Sequence, residues 1–200
     1  MEIFKDRLNM VREICSRYEH LPRLYKKIKS TCKKTLMSID RKVSLYGMFL
    51  PDKDLEYAVL KYKGKLTTDA DKANYKYYFD ENDRLVLTER HYRDDLDILY
   101  YIFYFYKEDC VEIVWYRVNS KRIYTVAKIQ YEDHRIQSFF ETENIPEKTL
   151  KGTDDVNFGF REFSYHYGDG EVLLIGESRF LLSPTSLLKA DISRKCKIEN

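Results

Sequence analysis

The chain has 200 residues, with 35 Lys/Arg against 33 Asp/Glu and a formal net charge of +2. A hydrophobic fraction of 44% alongside 34% charged residues excludes a disordered polyampholyte and allows one domain with a substantial core. No stretch approaches the roughly 18 uncharged apolar residues of a membrane span, and Met1-Glu2-Ile3-Phe4-Lys5 lacks the apolar region of a secretory signal.

The charge is unevenly spread. Residues 1–42 hold 12 Lys/Arg and 5 Asp/Glu, leaving 23 basic and 28 acidic residues in the rest. Phe4, Leu8, Val11, Cys15 and Tyr18 recur at spacings of four and three, which predicts an amphipathic helix. Pro22 removes a backbone donor and should end or kink it. A second helical run places Leu24, Ile28, Cys32, Leu36 and Ile39 on one side and Lys26, Lys27, Lys29, Lys33 and Lys34 on the other. Gly47 and Pro51 punctuate the entry to the strands.

Strands are expected near 56–63, 74–79, 84–92, 98–106, 111–118, 123–131, 135–143, 158–167 and 171–180. Four times an aromatic strand runs into a short turn and returns: Tyr77-Tyr78-Phe79 into Asp80–Asp83, Tyr104-Phe105-Tyr106 into Lys107–Asp109, Ile129-Gln130-Tyr131 into Glu132–His134, and Tyr165-His166-Tyr167 into Gly168–Gly170. The first three turns lie about 26 residues apart, the length of two strands and two turns, as in an antiparallel meander. Segment 144–157 reads as a long insertion, and Ser183-Pro184 as the N-cap of a short C-terminal helical turn before a frayed end. The expected fold is α+β, with N-terminal helices on one face of a large antiparallel meander of seven to nine strands. Its parts are a basic helical segment (1–44), the meander (45–182) and a C-terminal turn and tail (183–200).

With two-residue loops, Tyr106 opposes Val111, Val118 opposes Ile123, and Tyr131 opposes Ile136. One face then collects Phe103, Phe105, Val114, Tyr116, Val118, Ile123, Ala127, Ile129, Ile136 and Phe140, where the helices should pack. The other collects Tyr100, Tyr104, Tyr106, Ile113, Trp115, Arg117, Tyr124, Lys128, Gln137, Phe139 and Glu141. Tyr, Trp and Arg on one surface are the composition of a protein–protein interface, although aromatic strands are also buried on both sides in packed layers. The candidate partner-binding residues are Tyr100, Tyr104, Tyr106, Trp115, Arg117, Tyr124, Lys128, Phe139 and Glu141.

Chemistry-bearing motifs are few. The histidines have no metal-ligand spacing, and no Gly-rich phosphate loop, nucleophile elbow or Cys/His zinc pattern occurs. Glu162, His166 and Asp169 read as a polar sheet end, and Asp94, Asp95 and Asp97 as a solvated loop. Arg161 and Glu177 oppose each other if the Gly168–Gly170 turn has three residues. The lysine-rich helix could track phosphate, but its apolar side and the acidic body argue against nucleic acid. Cys15, Cys32, Cys110 and Cys196 are scattered, which with the missing signal predicts reduced thiols in the cytoplasm. No cofactor, metal or catalytic residue is expected.

The run Tyr78 to Leu85, echoed at Tyr131–Ile136 and Tyr167–Val172, resembles the tyrosine–aspartate hairpin repeats of bacterial polymorphic-toxin systems. Helices followed by an aromatic meander also resemble the layout of immunity proteins. The resemblance implies a non-catalytic protein that neutralises a cognate toxin by stoichiometric binding. A tyrosine-lined ligand-binding or enzymatic barrel, and a structural adaptor, are the other classes compatible with the residues.

Overall fold

The computed structural model describes residues 2–39, 65–91, 98–147, 158–168, 171–183 and 186–194. Two helices, α1 (Glu2–Arg17) and α2 (Leu21–Thr31), precede ten strands: β1 (Lys34–Ser38), β2 (Tyr75–Phe79), β3 (Leu85–His91), β4 (Ile98–Tyr106), β5 (Cys110–Arg117), β6 (Arg122–Glu132), β7 (Arg135–Glu143), β8 (Phe158–Gly168), β9 (Glu171–Ser183) and β10 (Ser186–Arg194). Sheet order follows chain order, and the registers resolved between neighbours are antiparallel. This is the expected α+β meander. The expected strand at 56–63, the punctuation at Gly47 and Pro51, and the loop Asp94–Asp97 lie outside the described residues, as does most of the 144–157 insertion.

Two strands replace expected helix. The second helix stops at Thr31, where Cys32 takes an extended conformation and donates its N–H to the Ile28 carbonyl. Lys34–Ser38 then pairs with β2, setting Leu36 against Tyr77 and Ser38 against Tyr75. A four-residue spacing such as Cys32–Leu36 satisfies both a helix and an alternating strand, and the free edge of β2 decides for the strand. At the other end, the expected C-terminal turn is β10, with Ser186 paired to Ser183. Pro22 falls in the first turn of α2, where its missing N–H costs no hydrogen bond, and the chain breaks between the helices at residues 18–20.

The chain forms two compact units. One comprises Met1–Glu19, Tyr106–Val114 and Ile123–Asn200. In it α1 buries Leu8, Val11, Ile14 and Cys15 along one side. The helix is tied to strands near its start by an Arg7–Glu162 ion pair and at its end by Arg17 and Tyr18, both bonded to Glu112. The other unit comprises His20–Phe105 and Trp115–Arg122. There α2 lays Tyr25 flat on Tyr101 of β4, ring centroids 4.0 Å apart, and Tyr101 in turn stacks on Tyr116 of β5.

Turn chemistry fixes the hairpins and, twice, shifts the expected register. Asp80 accepts the N–H groups of Asn82 and Arg84 and pairs with the Arg84 side chain, closing the β2–β3 turn. Asp133 and His134 both have positive φ, as a two-residue turn requires, and Glu132 opposes Arg135. Lys121 also has positive φ (50°), which lengthens the Val118–Lys121 turn to three loop residues. The Tyr131 N–H therefore donates to the Asp109 carbonyl, one residue from the two-residue-loop expectation. A bulge at Gln137 adds a second shift, so that Phe139 opposes Ile129 and Phe140 opposes Lys128. The Gly168–Glu171 pair leaves only two loop residues, and a further shift at His166/Tyr167 sets Arg161 against Arg179. Glu177 opposes Phe163 in the register rather than Arg161; Arg161 bonds Glu141 across β7 and β8.

Because both helices cover strand carboxylates and apolar side chains, removing residues 1–32 should leave a sheet that aggregates when expressed. Size-exclusion chromatography with light scattering decides. A soluble, monomeric sheet fragment would show that the helices are dispensable for packing.

Candidate functional site

Two strand glutamates are nearly sealed from solvent. Glu89, in the middle of β3, is 1% exposed, and Glu112 on β5 is 3% exposed. Isolated burial of a carboxylate costs several kcal/mol, so each needs compensation. Glu89 accepts a 2.6 Å hydrogen bond from the Tyr25 hydroxyl and lies 3.0 Å from Lys29 Nζ, both supplied by α2. His91, two residues along the same strand, places Nε2 3.4 Å from the second carboxylate oxygen. Glu112 receives Arg17 Nη1 on both oxygens at 2.7 and 2.8 Å, the Tyr18 hydroxyl at 2.8 Å, and Lys107 Nζ at 2.6 Å.

These contacts set the titration. Burial alone would raise Glu89, but the neighbouring His91 ring, the Tyr25 hydroxyl and the Lys29 ammonium outweigh it and hold the carboxyl at about 2. Glu112 is likewise lowered: burial opposes, and bonds from Lys107, Arg17 and Tyr18 prevail. The phenols pay in the other direction, Tyr25 and Tyr18 being raised by burial and by the adjacent carboxylates. Burial pushes the Cys15 thiol up to about 12 and raises Cys110. Among the described residues, no three His, Cys, Asp or Glu side chains gather where one metal ion could be held.

On the face of the second unit turned away from α2, aromatic and cationic side chains form a row. Tyr75, Arg90 and Tyr100 are direct cross-strand neighbours on β2, β3 and β4. The Arg90 guanidinium lies 6.0 Å from the Tyr75 ring centre and 5.8 Å from that of Tyr100. Trp115 of β5 meets Tyr100 edge-on at 5.6 Å. Tyr75, Arg90, Trp115 and Arg117 are half-buried, and Tyr100 is buried. The Tyr104 hydroxyl, also buried, lies 3.3 Å from Thr88 Oγ1.

The structure places Tyr100, Tyr104, Trp115 and Arg117 in one unit, with Tyr100 against Trp115. The remaining candidates belong to the other unit. The two register shifts rearrange them: Lys128 sits opposite Phe140 on the side lined by Arg7 and Met10 of α1, whereas Phe139 and Glu141 stand opposite Ile129 and Ala127. Phe139 and Glu141 are buried, the latter bonded to Arg161, while Tyr106, Tyr124 and Lys128 are half-buried. The expectation of Lys128 and Phe139 on one face is overturned by the Gln137 bulge. His166 is exposed, and Glu162 is engaged by Arg7. Sequence reading passed over Tyr75, Arg90, Glu89 and Glu112. The signal for Glu112 was available, a lone carboxylate inside the apolar run Cys110–Val114; Glu89 follows Leu85–Thr88 and precedes Arg90, which hides it.

No helix among the described residues is long and apolar enough to cross a membrane. Comparison with family models, curated proteins and solved structures gave no match.

Glu89 carries the clearest pH signature. A carboxyl held at about 2 when folded, against an ordinary 4.5, stabilises the fold above pH 4.5, and that contribution is lost as pH falls toward 2. It amounts to roughly 3 kcal/mol at neutral pH. Glu89→Gln should destabilise the protein at pH 7 and flatten the acid limb of its stability curve. Urea unfolding between pH 2.5 and 7 checks this, and an unchanged acid limb in the variant would contradict it.

Proposed function

We propose that this chain is a non-catalytic protein-binding protein, and that it acts as an immunity protein neutralising a cognate toxin by stoichiometric contact. The observation that carries the binding reading is the Tyr75–Arg90–Tyr100–Trp115 row with Arg117 beside it. Arg held between aromatic rings is pre-ordered, so it loses little freedom on binding, and Tyr, Trp and Arg supply most of the energy in protein interfaces. The toxin as partner rests on the resemblance of the hairpins to tyrosine–aspartate repeats.

The state of the ionisable groups supports a non-catalytic reading. A general acid at neutral pH needs a raised carboxyl, and a thiol nucleophile needs a lowered one. Glu89 and Glu112 are shifted down and Cys15 and Cys110 up, the reverse of both requirements. Their bonds commit the two carboxylates to holding helices on strands.

The test is affinity capture from the source cells, followed by reconstitution of the recovered protein with purified wild type, Arg90→Ala and Trp115→Ala. The expected result is a one-to-one complex that each variant weakens by about 2 kcal/mol, near thirtyfold. The recovered partner, expressed alone, should arrest growth and be relieved by co-expression of the wild type. Folded variants that bind at undiminished affinity would remove the row from the interface; a partner harmless to cells would remove the toxin reading.

A further inference from the structure

In the first unit a cleft of about 330 Å³ opens between α1 and the strands β6–β9. Its origin lies in two cross-strand rows. One runs Gln130–Ser138–Ser164–Gly176, the other Lys128–Phe140–Glu162–Ser178. The short side chains of Ser138 and Ser164 leave a hollow that Arg7 and Met10 of α1 overhang.

The charges in the hollow do not cancel. Glu162 is taken by Arg7, and Phe140 stands between Glu162 and Lys128 in the row. That leaves Lys128, half-buried, as a cation with no ion pair among the described residues. Lys128 acts on the Cys110 thiol and on Asp109, an exposed turn residue whose own carboxylate accepts a hydrogen bond from Gln130 at 2.9 Å. A half-buried ammonium beside serine hydroxyls and a phenyl ring offers one charge, hydrogen-bonding groups and an apolar wall.

We propose that this cleft binds a carboxylate carried on an apolar group, the carboxylate meeting Lys128 and the serine hydroxyls and the apolar part lying between Phe140 and Met10. Arg7–Glu162 closes one end as a neutral pair, so a singly charged ligand leaves the site balanced. The proposal uses none of the residues of the aromatic row and stands or falls independently of it.

The probes are 3-phenylpropionate, its neutral amide, and an acetylated Gly-Gly-Phe peptide with a free C-terminal carboxylate, each titrated into the isotopically labelled full chain by NMR. At least one acid should bind saturably and about tenfold more tightly than the amide, shifting the amides of Lys128, Ser138, Ser164 and α1. Binding of the small acid alone marks a free carboxylate as the ligand, and stronger binding of the peptide marks a polypeptide terminus. Lys128→Gln should erase the preference for acid over amide and Lys128→Arg should retain it. Ser138→Val, which suits a strand and fills the hollow, should abolish binding without loss of fold. Equal binding of acid and amide, shifts centred outside the cleft, or no saturable binding by either acid would overturn the proposal.

Discussion

A carboxylate sealed inside a strand, answered by a cation and a phenol from a helix, is the interaction on which this structure turns. It occurs twice. Glu89 is met by Lys29 and Tyr25 of α2, and Glu112 by Arg17 of α1 and the Tyr18 that follows it. Each glutamate also has a partner outside the helices, His91 on its own strand for Glu89 and Lys107 of the preceding turn for Glu112, and the helix groups complete the compensation that a buried charge requires. Each helix is correspondingly fixed in place, since only one position delivers both donors to the same carboxylate. Apolar burial supplies the general attraction: α1 covers Leu8, Val11 and Ile14. The ion-and-phenol clusters supply the specificity.

That commitment of charge shapes what the molecule can do. Carboxylates held well below their ordinary range donate no protons near neutrality, and thiols raised by burial are poor nucleophiles. The chemistry we propose for the molecule is recognition. In one unit it takes the form of a guanidinium between tyrosine rings with a tryptophan at the edge. In the other it is a polar hollow whose lysine is not matched by a carboxylate in the lining. Both lie beside buried residues of the same sheet face: Tyr77, Thr88 and Ile102 next to the row, and Phe140 in the hollow.

Much of the fold was legible in the sequence. The aromatic strands and acidic turns located β2 to β9, because alternation and turn residues act locally: Asp80 closes its turn with its own side chain, and Asp133-His134 adopt the positive φ of a two-residue turn. What was not legible is where single residues are added. Lys121 and Gln137 carry no glycine to mark a bulge, yet each shifts the pairing by one: the first moves Tyr124 and Lys128 to the opposite face from that expected, and the second parts Phe139 from Lys128. Lys34–Ser38 read as helix because its spacing satisfies both periods, and only the edge of β2 separates them. Of the aromatic row, Tyr100 and Trp115 were found from strand alternation. Tyr75 and Arg90 were missed because their strands were never placed in register with β4. Glu89 and Glu112 were passed over, although Glu112, a lone acid in an apolar strand downstream of a basic helix, asks for a cation.

The central claim is that these two carboxylates stay ionised inside the fold because His91 and Lys107, together with the helix groups, hold them so. Carbon-detected NMR titration of the glutamate side-chain carboxyls, in the full chain between pH 2 and 7, measures it directly. The account predicts that Glu89 titrates near the bottom of that range and Glu112 below its ordinary 4.5. Ordinary or raised values for Glu89 and Glu112 in the folded protein would contradict it.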